Sequence, residues 1–318
     1  MEIRPCSLLR PFVAAGLFVG LALSAEARID RVVEKEFKVD GPGSLKVEAE
    51  GGSIRVVAGG DSVVRVKAKQ RIRAGSEAEA DELLKKLDLT LEQTGNEVRL
   101  AARYERRTGG FHFGSWPPVN VDFEVTVPAA FATDLRTSGG NITVGDLTGK
   151  ARLRTSGGNL TLGRMGDTVD GQTSGGSITL AEARGQTELK TSGGNIAVGK
   201  VAGPAELSTS GGSIKIESAE ARLRAHTSGG SIRAGINGPL KDECSLTTSG
   251  GSIRVTVDKA AAFRLDASCS GGGVDAEGLT ITLEKGARGK DRLAGVVNGG
   301  GPLLKLRTSG GGIAVRTN

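Results

Sequence analysis

The stretch Thr137-Ser138-Gly139-Gly140-Asn141-Ile142-Thr143-Val144 returns, with small changes, from Thr155, Thr173, Thr191, Thr209, Thr227 and Thr248. Five consecutive spacings are 18 residues and the sixth is 21. A fixed period of this size marks stacked units, each burying its apolar face against the next.

Counting each repeat from its Thr as zero, position +5 reads Ile142, Leu160, Ile178, Ile196, Ile214, Ile232 and Ile253. Position +7 reads Val144, Leu162, Leu180, Val198, Ile216, Ala234 and Val255, and position −2 is mostly Leu. Apolar residues at +5 and +7 around a mostly polar +6 describe a strand with one buried face. Positions −2 and +5 both point inward but differ by an odd number, so alternation cannot run through Ser-Gly-Gly. The chain turns there, and paired glycines allow the positive φ that such a corner needs. A second corner is expected at +8 (Gly145, Gly163, Gly199, Gly235) and a third near +12 (Gly149, Gly185, Gly203), with Leu147, Met165, Ala183, Val201 and Ala219 inward at +10.

The expected fold is all-β: a parallel β-solenoid (β-helix) with about 18 residues per coil, each strand pairing with its equivalents about 4.8 Å away. Thr at zero and Asn or Ser at +4 then form ladders of like residues at the corner. The same grammar appears early, in Glu50-Gly51-Gly52-Ser53-Ile54, and late, from Ser270 to Val274 and from Thr308 to Ile313. The solenoid is assigned to residues 129–318, with an irregular insertion near 277–296.

Residues 28–128 differ in character. Alternating runs read as strands, and one helix is expected over about 76–87. Ser76 with Glu79 makes a capping box there, before Ala80, Leu83, Leu84 and Leu87. This region is read as a β-rich cap for the first edge of the solenoid, which would otherwise invite strand addition. Tyr104, Phe111, Phe113, Trp116, Phe123 and Phe131 cluster within 28 residues at its C-terminal end and just beyond. The segment from Arg103 to Pro118 mixes arginines, glycines and aromatics, so its rings either plug the end of the solenoid or contact a carbohydrate or protein. The contact candidates are Arg106, Arg107, Phe111, Phe113 and Trp116.

Residues 1–27 read as a secretory signal peptide: Arg4 and Arg10, the uncharged run Pro11–Ser24, then Ala25-Glu26-Ala27. No further segment reads as an integral membrane span. Export follows, to the periplasm, the cell surface or beyond. The formal net charge of +6 permits loose attraction to anionic surface polymers without requiring it.

The chemistry of catalysis is missing from the pattern. The two histidines, His112 and His226, have no Cys or carboxylate at metal-ligand spacing. The repeated serines have no recurrent base, and no Asp follows the glycine pairs as in calcium-binding repeats. No cofactor, metal site or nucleic-acid partner is expected. Cys244 falls at −4 and Cys269 at the Thr column of a later coil. Columns about 13 Å apart along a strand are too far apart to bridge, which predicts two buried thiols.

With Thr137–Val144 and its copies, together with Val297-Asn298-Gly299-Gly300-Gly301-Pro302, the chain resembles the bacterial putative-adhesin β-strand-repeat family, a domain of unknown function, over roughly residues 35–318. The resemblance implies an exported β-solenoid and brings no catalytic residues with it. The expected role is a non-enzymatic adhesin-like or envelope scaffold whose partner is a cell-envelope glycan or a surface protein. The alternative is a polysaccharide-active β-helix enzyme using paired carboxylates; its candidates, Asp146, Asp167, Asp170, Glu188 and Glu206, do not recur as a pair in the sequence.

Overall fold

Strands alternate between two walls that enclose a continuous apolar core. The computed structural model describes residues 28–60, 62–105 and 118–318. The chain opens with β1 (Arg28–Lys38), β2 (Ser44–Ala49), β3 (Ile54–Gly59), β4 (Val63–Arg73), α1 (Glu77–Leu84), β5 (Leu87–Thr94), β6 (Glu97–Tyr104) and β7 (Val119–Pro128). Seven coils follow: β8 (Ala132–Thr137) with β9 (Ile142–Val144), β10 (Ala151–Arg154) with β11 (Leu160–Met165), β12 (Val169–Gln172) with β13 (Ile178–Ala183), β14 (Thr187–Lys190) with β15 (Ile196–Val201), β16 (Ala205–Thr209) with β17 (Ile214–Ala219), β18 (Leu223–Thr227) with β19 (Ile232–Ile236), and β20 (Cys244–Thr248) with β21 (Ile253–Val257). The chain closes with β22 (Phe263–Cys269), β23 (Val274–Glu277), β24 (Ile281–Arg288), β25 (Arg292–Val297), β26 (Leu303–Thr308) and β27 (Ile313–Thr317).

One wall has 13 strands in the order β1-β4-β7-β3-β9-β11-β13-β15-β17-β19-β21-β27-β23. The other has 14, in the order β24-β25-β22-β26-β20-β18-β16-β14-β12-β10-β8-β2-β6-β5. Pairing between coils is parallel and in register with the repeat, as in Ala151↔Val169 and Leu160↔Ile178. The inward columns at +5 and +7 are buried throughout the seven coils and +10 in the first five, with Ile236 and Val257 at +9 taking that place in the last two; each side chain is worth about 1.5–3 kcal/mol if a large aliphatic.

Three features of the corner differ from the sequence expectation or refine it. No glycine of a Thr-Ser-Gly-Gly copy has a positive φ. The second glycine is needed for closeness instead: a Cβ at Gly158 would lie 1.9 Å from the carbonyl oxygen of Gly140, and one at Gly176 1.9 Å from that of Gly158. Successive corners stack backbone on backbone. The expected corner at +8 is also not a turn. Strand β11 runs through Gly163, and only the ladder partner is skipped there, so each coil has two strands.

The hydroxyl of each repeat threonine is buried at the corner and donates to the carbonyl of the second glycine in the preceding coil. Thr173 Oγ1 reaches Gly158 O at 2.8 Å and Thr191 Oγ1 reaches Gly176 O at 2.7 Å. The same oxygen accepts from its own second glycine, as Gly176 N→Thr173 Oγ1 at 3.3 Å. At +4 each side-chain oxygen accepts the next coil's backbone N–H: Asn141 from Asn159 at 2.8 Å, Asn159 from Ser177 at 2.7 Å, Ser177 from Asn195 at 3.1 Å. Asp122 starts this ladder by accepting from Ser53 N at 2.8 Å.

Spatial order departs from chain order at both ends. Coil β6–β7 is outermost at the N-terminal end, and the chain's first coil, β2–β3, lies between it and β8–β9. The solenoid therefore begins well before residue 129. At the other end the chain's last coil, β26–β27, slips between β20–β21 and the outermost β22–β23.

Antiparallel strands then close the ends: β4 and β1 on one wall and β5 on the other at the N-terminal end, with the hairpin β24–β25 beside β22 at the C-terminal end. Edge strand β1 turns cations inward, which discourages strand addition: Arg31 binds Glu77 and Asp81 of α1 at 2.9 and 2.6 Å, and Lys35 donates to Leu91 O at 2.7 Å. Ser76 caps α1 through Glu79 N at 3.2 Å. Tyr104, Phe123 and Phe131 are buried at this end of the core. Cys244 and Cys269 are both buried free thiols, in coils separated by β26, and burial pushes the Cys244 thiol up.

Candidate functional site: the corner groove beside the β6–β7 connection

Among the described residues, the corner that is uniform along the rod is interrupted once. Register places Ala102 in the Thr column, beside Ala49 and Thr137, and Phe123 in the +5 column, beside Ile54. These two residues are 21 positions apart where the repeats need five. The extra residues contain the predicted contact set, and Arg106, Arg107, Phe111, Phe113 and Trp116 all lie outside the described residues. The roots of the connection are fixed. Tyr104 N donates to Glu50 Oε2 at 3.0 Å, Glu105 N to Lys86 O at 3.0 Å, and Arg73 N to Pro118 O at 3.0 Å.

Beside these roots runs a groove of about 500 Å³, lined by Glu48, Glu50, Arg103, Arg136, Arg154 and Gln172, with the exposed hydroxyls of Ser138, Ser156 and Ser174 along one margin. Each coil contributes one or two of these groups, because the outward −1 and +1 columns repeat at the strand spacing of about 4.8 Å. The charges are held in place by neighbours. Arg103 binds Glu48 at 2.5 Å and Lys46 binds it at 3.1 Å, and Arg103 first, then Lys46, holds the Glu48 carboxyl below its usual range. Arg136 grips Asp134 through two bonds of 3.0 and 3.1 Å. Burial pushes Asp170 up, but Arg154 at 2.5 Å and Arg152 at 3.3 Å outweigh it and leave the carboxyl below its ordinary value. The groove thus presents fixed cations, carboxylates and hydroxyls in a row, a surface suited to a polar chain lying across several coils.

Among the described residues no histidine or cysteine lines this groove. His226 lies on β18 between Ser208 and Thr247 in register, six coils from Glu48, and His112 is outside the described residues. Among the described residues no group of three His, Cys, Asp or Glu could hold a metal ion. The sequence missed one juxtaposition of carboxylates: register sets Asp170, Glu188 and Glu206 side by side on neighbouring strands. Asp170 is held by Arg154 and Arg152, and Glu188 is bound to Lys190. Asp146 is taken up by Arg164 at 2.6 Å, and Asp167 by Thr168 at 2.6 and 3.0 Å.

Stacked parallel coils closed by antiparallel end strands define a β-solenoid. The Toastrack DUF4097 family model matches residues 56–316, and the chain belongs to that family, a domain of unknown function. Among solved structures, one from Parabacteroides distasonis described as a putative lipid binding protein is 13% identical, with a TM-score of 0.49, covering 89% of this chain and 96% of its own. A putative adhesin from Bacteroides fragilis is 14% identical (TM-score 0.37, 90% and 97% covered), and one from Parabacteroides merdae 12% (TM-score 0.43, 91% and 96%). At these values the likenesses carry no functional argument. No curated protein matches the chain. Among the described residues no helix is long and apolar enough to cross a membrane.

Proposed function

We propose that this protein is an exported, non-enzymatic scaffold that binds an envelope glycan or a surface protein in the manner of an adhesin. The observation that supports this reading is the division of labour among the columns. Thr at zero, the second glycine, the +4 side chain and the apolar +5, +7 and +10 residues are all spent on stacking. What varies is the outward columns and the single interruption of the corner between Tyr104 and Val119, which carries Arg106, Arg107, Phe111, Phe113 and Trp116. Residues 1–27 act as the export signal.

The test is recovery of partners from envelope fractions, first by the wild type and then by the triple variant Phe111→Ala/Phe113→Ala/Trp116→Ala. Lost binding at unchanged stability supports a contact loop. Lost stability makes these rings part of the plug already formed by Tyr104, Phe123 and Phe131, and recovery of no partner by the wild type overturns the reading. A polysaccharide-active enzyme draws support only from the row Asp170, Glu188 and Glu206. Turnover of a glycan that disappears in Glu188→Gln/Glu206→Gln would establish that alternative.

A further inference from the structure

On the 13-stranded wall, the outward +6 column reads Thr143, Thr161, Thr179 and Ala197 on successive coils, and then turns basic. Lys215 on β17 faces Arg233 on β19, which faces Arg254 on β21. All three side chains are exposed. Like charges directly opposite each other on neighbouring strands repel, and elsewhere this rod neutralises such rows. The acidic row on the opposite wall has Arg152, Arg154 and Lys190 against it, and along +9 the sign alternates through Asp146, Arg164, Glu182 and Lys200.

The basic row is treated differently. Lys215 has Glu217 at 3.1 Å, an exposed pair of small worth. Arg233 and Arg254 have no carboxylate within ion-pair distance among the described residues. Their flanking positions on the same face are Ser231 and Gly235, and Ser252 and Thr256. The next coil offers Ala314 opposite Arg254, while Arg316 is occupied by Glu277 at 3.6 Å and Asp275 lies one strand further on. Ser213 and Ser231 accept backbone N–H groups from the following coil at 3.1 Å each, so their hydroxyl protons are available for donation outward.

We infer that Lys215, Arg233 and Arg254, with the hydroxyls of Ser213, Ser231 and Ser252 beside them, form a docking surface for a linear anionic glycan running along the rod axis. Two arginines on neighbouring strands about 4.8 Å apart offer ten donors to carboxylate, sulfate or phosphate groups spaced along such a chain. A flat, open wall accepts a polymer rather than a small ligand. The absence of an aromatic among these residues removes the stacking platform that single-stranded nucleic acid uses. This inference rests on the envelope-binding reading above and names a partner class and a second surface for it.

The experiment measures binding of the full chain to polygalacturonate, to dextran and to single-stranded DNA across a salt series. Wild type is expected to bind polygalacturonate with salt-dependent affinity, to ignore dextran, and to bind DNA more weakly. Arg233→Ser/Arg254→Ser, both at exposed positions, is expected to lose roughly tenfold to thirtyfold in affinity and roughly 1.5 from the slope of log affinity against log salt. Arg233→Lys/Arg254→Lys should keep most of the slope, and Glu217→Gln, which frees Lys215, should bind more tightly. Undiminished binding by the serine double variant, equal or tighter binding to DNA, or no wild-type binding to polygalacturonate overturns the inference. If the wild type still recovers an envelope partner in any of those cases, only this surface is wrong; if it recovers none, the broader reading fails with it.

Discussion

The stacking account of the corner makes opposite demands on two adjacent glycines. Gly175 and Gly176 occupy the same turn, and neither has a positive φ. A Cβ at Gly176 would sit 1.9 Å from Gly158 O and 2.5 Å from its carbonyl carbon, whereas one at Gly175 meets nothing nearer than Ser156 O at 3.7 Å. Relieving the first clash requires the two coils to part by more than an ångström at that corner. The movement strains backbone contacts, an overpacking cost of about 1–3 kcal/mol. It also stretches Thr173 Oγ1→Gly158 O and Thr191 Oγ1→Gly176 O, now 2.8 and 2.7 Å, each worth about 1 kcal/mol.

Gly176→Ala should therefore lose about 3–5 kcal/mol, the sum of those two contributions. Gly175→Ala should change stability by less than about 1 kcal/mol, in the stabilising direction if reduced freedom of the unfolded chain dominates. Urea unfolding followed by circular dichroism, compared at equal slope, gives both values. Equal destabilisation by the two variants would refute close stacking as the reason for the glycine pair and return the corner to a demand on backbone dihedrals.

Two further outcomes follow from the polar groups. Thr209 is buried and holds Gly194 O at 2.8 Å and Gly212 N at 3.3 Å, so Thr209→Val, which keeps the shape and removes both bonds, should cost about 1–3 kcal/mol in the same assay, while Thr209→Ser restores much of it. Glu48 has its carboxyl held below the ordinary 4.5 by Arg103 and then Lys46, so its contribution is present above that pH and is lost as pH falls through the lowered native value. The stability difference between wild type and Glu48→Gln should hold steady above pH 4.5 and shrink below it; a difference that does not change on acidification would show that Glu48 acts through packing alone.

The coil itself was legible because stacking repeats one chemical demand at one column. Ile and Val at +5 and +7, Leu at −2 and Thr at zero each had many copies to average over. Order at the ends was not legible. Glu50-Gly51-Gly52-Ser53-Ile54 and Thr308–Ile313 read as the first and last coils, and in the chain they are, but pairing sets each one place in from its end. Nothing in a single strand's composition says which strand lies beside it. The groove was hidden for the same reason: Arg103, Glu48, Arg136 and Arg154 come from four coils and meet only through register. Asp122 belongs to the +4 ladder, yet the long connection before it breaks the spacing that identifies its neighbours. The glycine pair was misread because a need for room and a need for a left-handed dihedral leave the same residue in a sequence.

The interleaved ends also constrain how a rod of this kind can change length. A coil appended after Thr317 would have to continue from a strand already enclosed between β21 and β23, and one placed before β2 meets the same obstacle at the other end. An 18-residue unit duplicated among β8–β21, however, meets an identical corner above and below and leaves both closures untouched. Growth is therefore intercalary, like adding leaves to the middle of a bound book, and shortening follows the same path. Chains of this architecture that differ in length should share their first and last coils and vary in the number of Thr-Ser-Gly-Gly units between them.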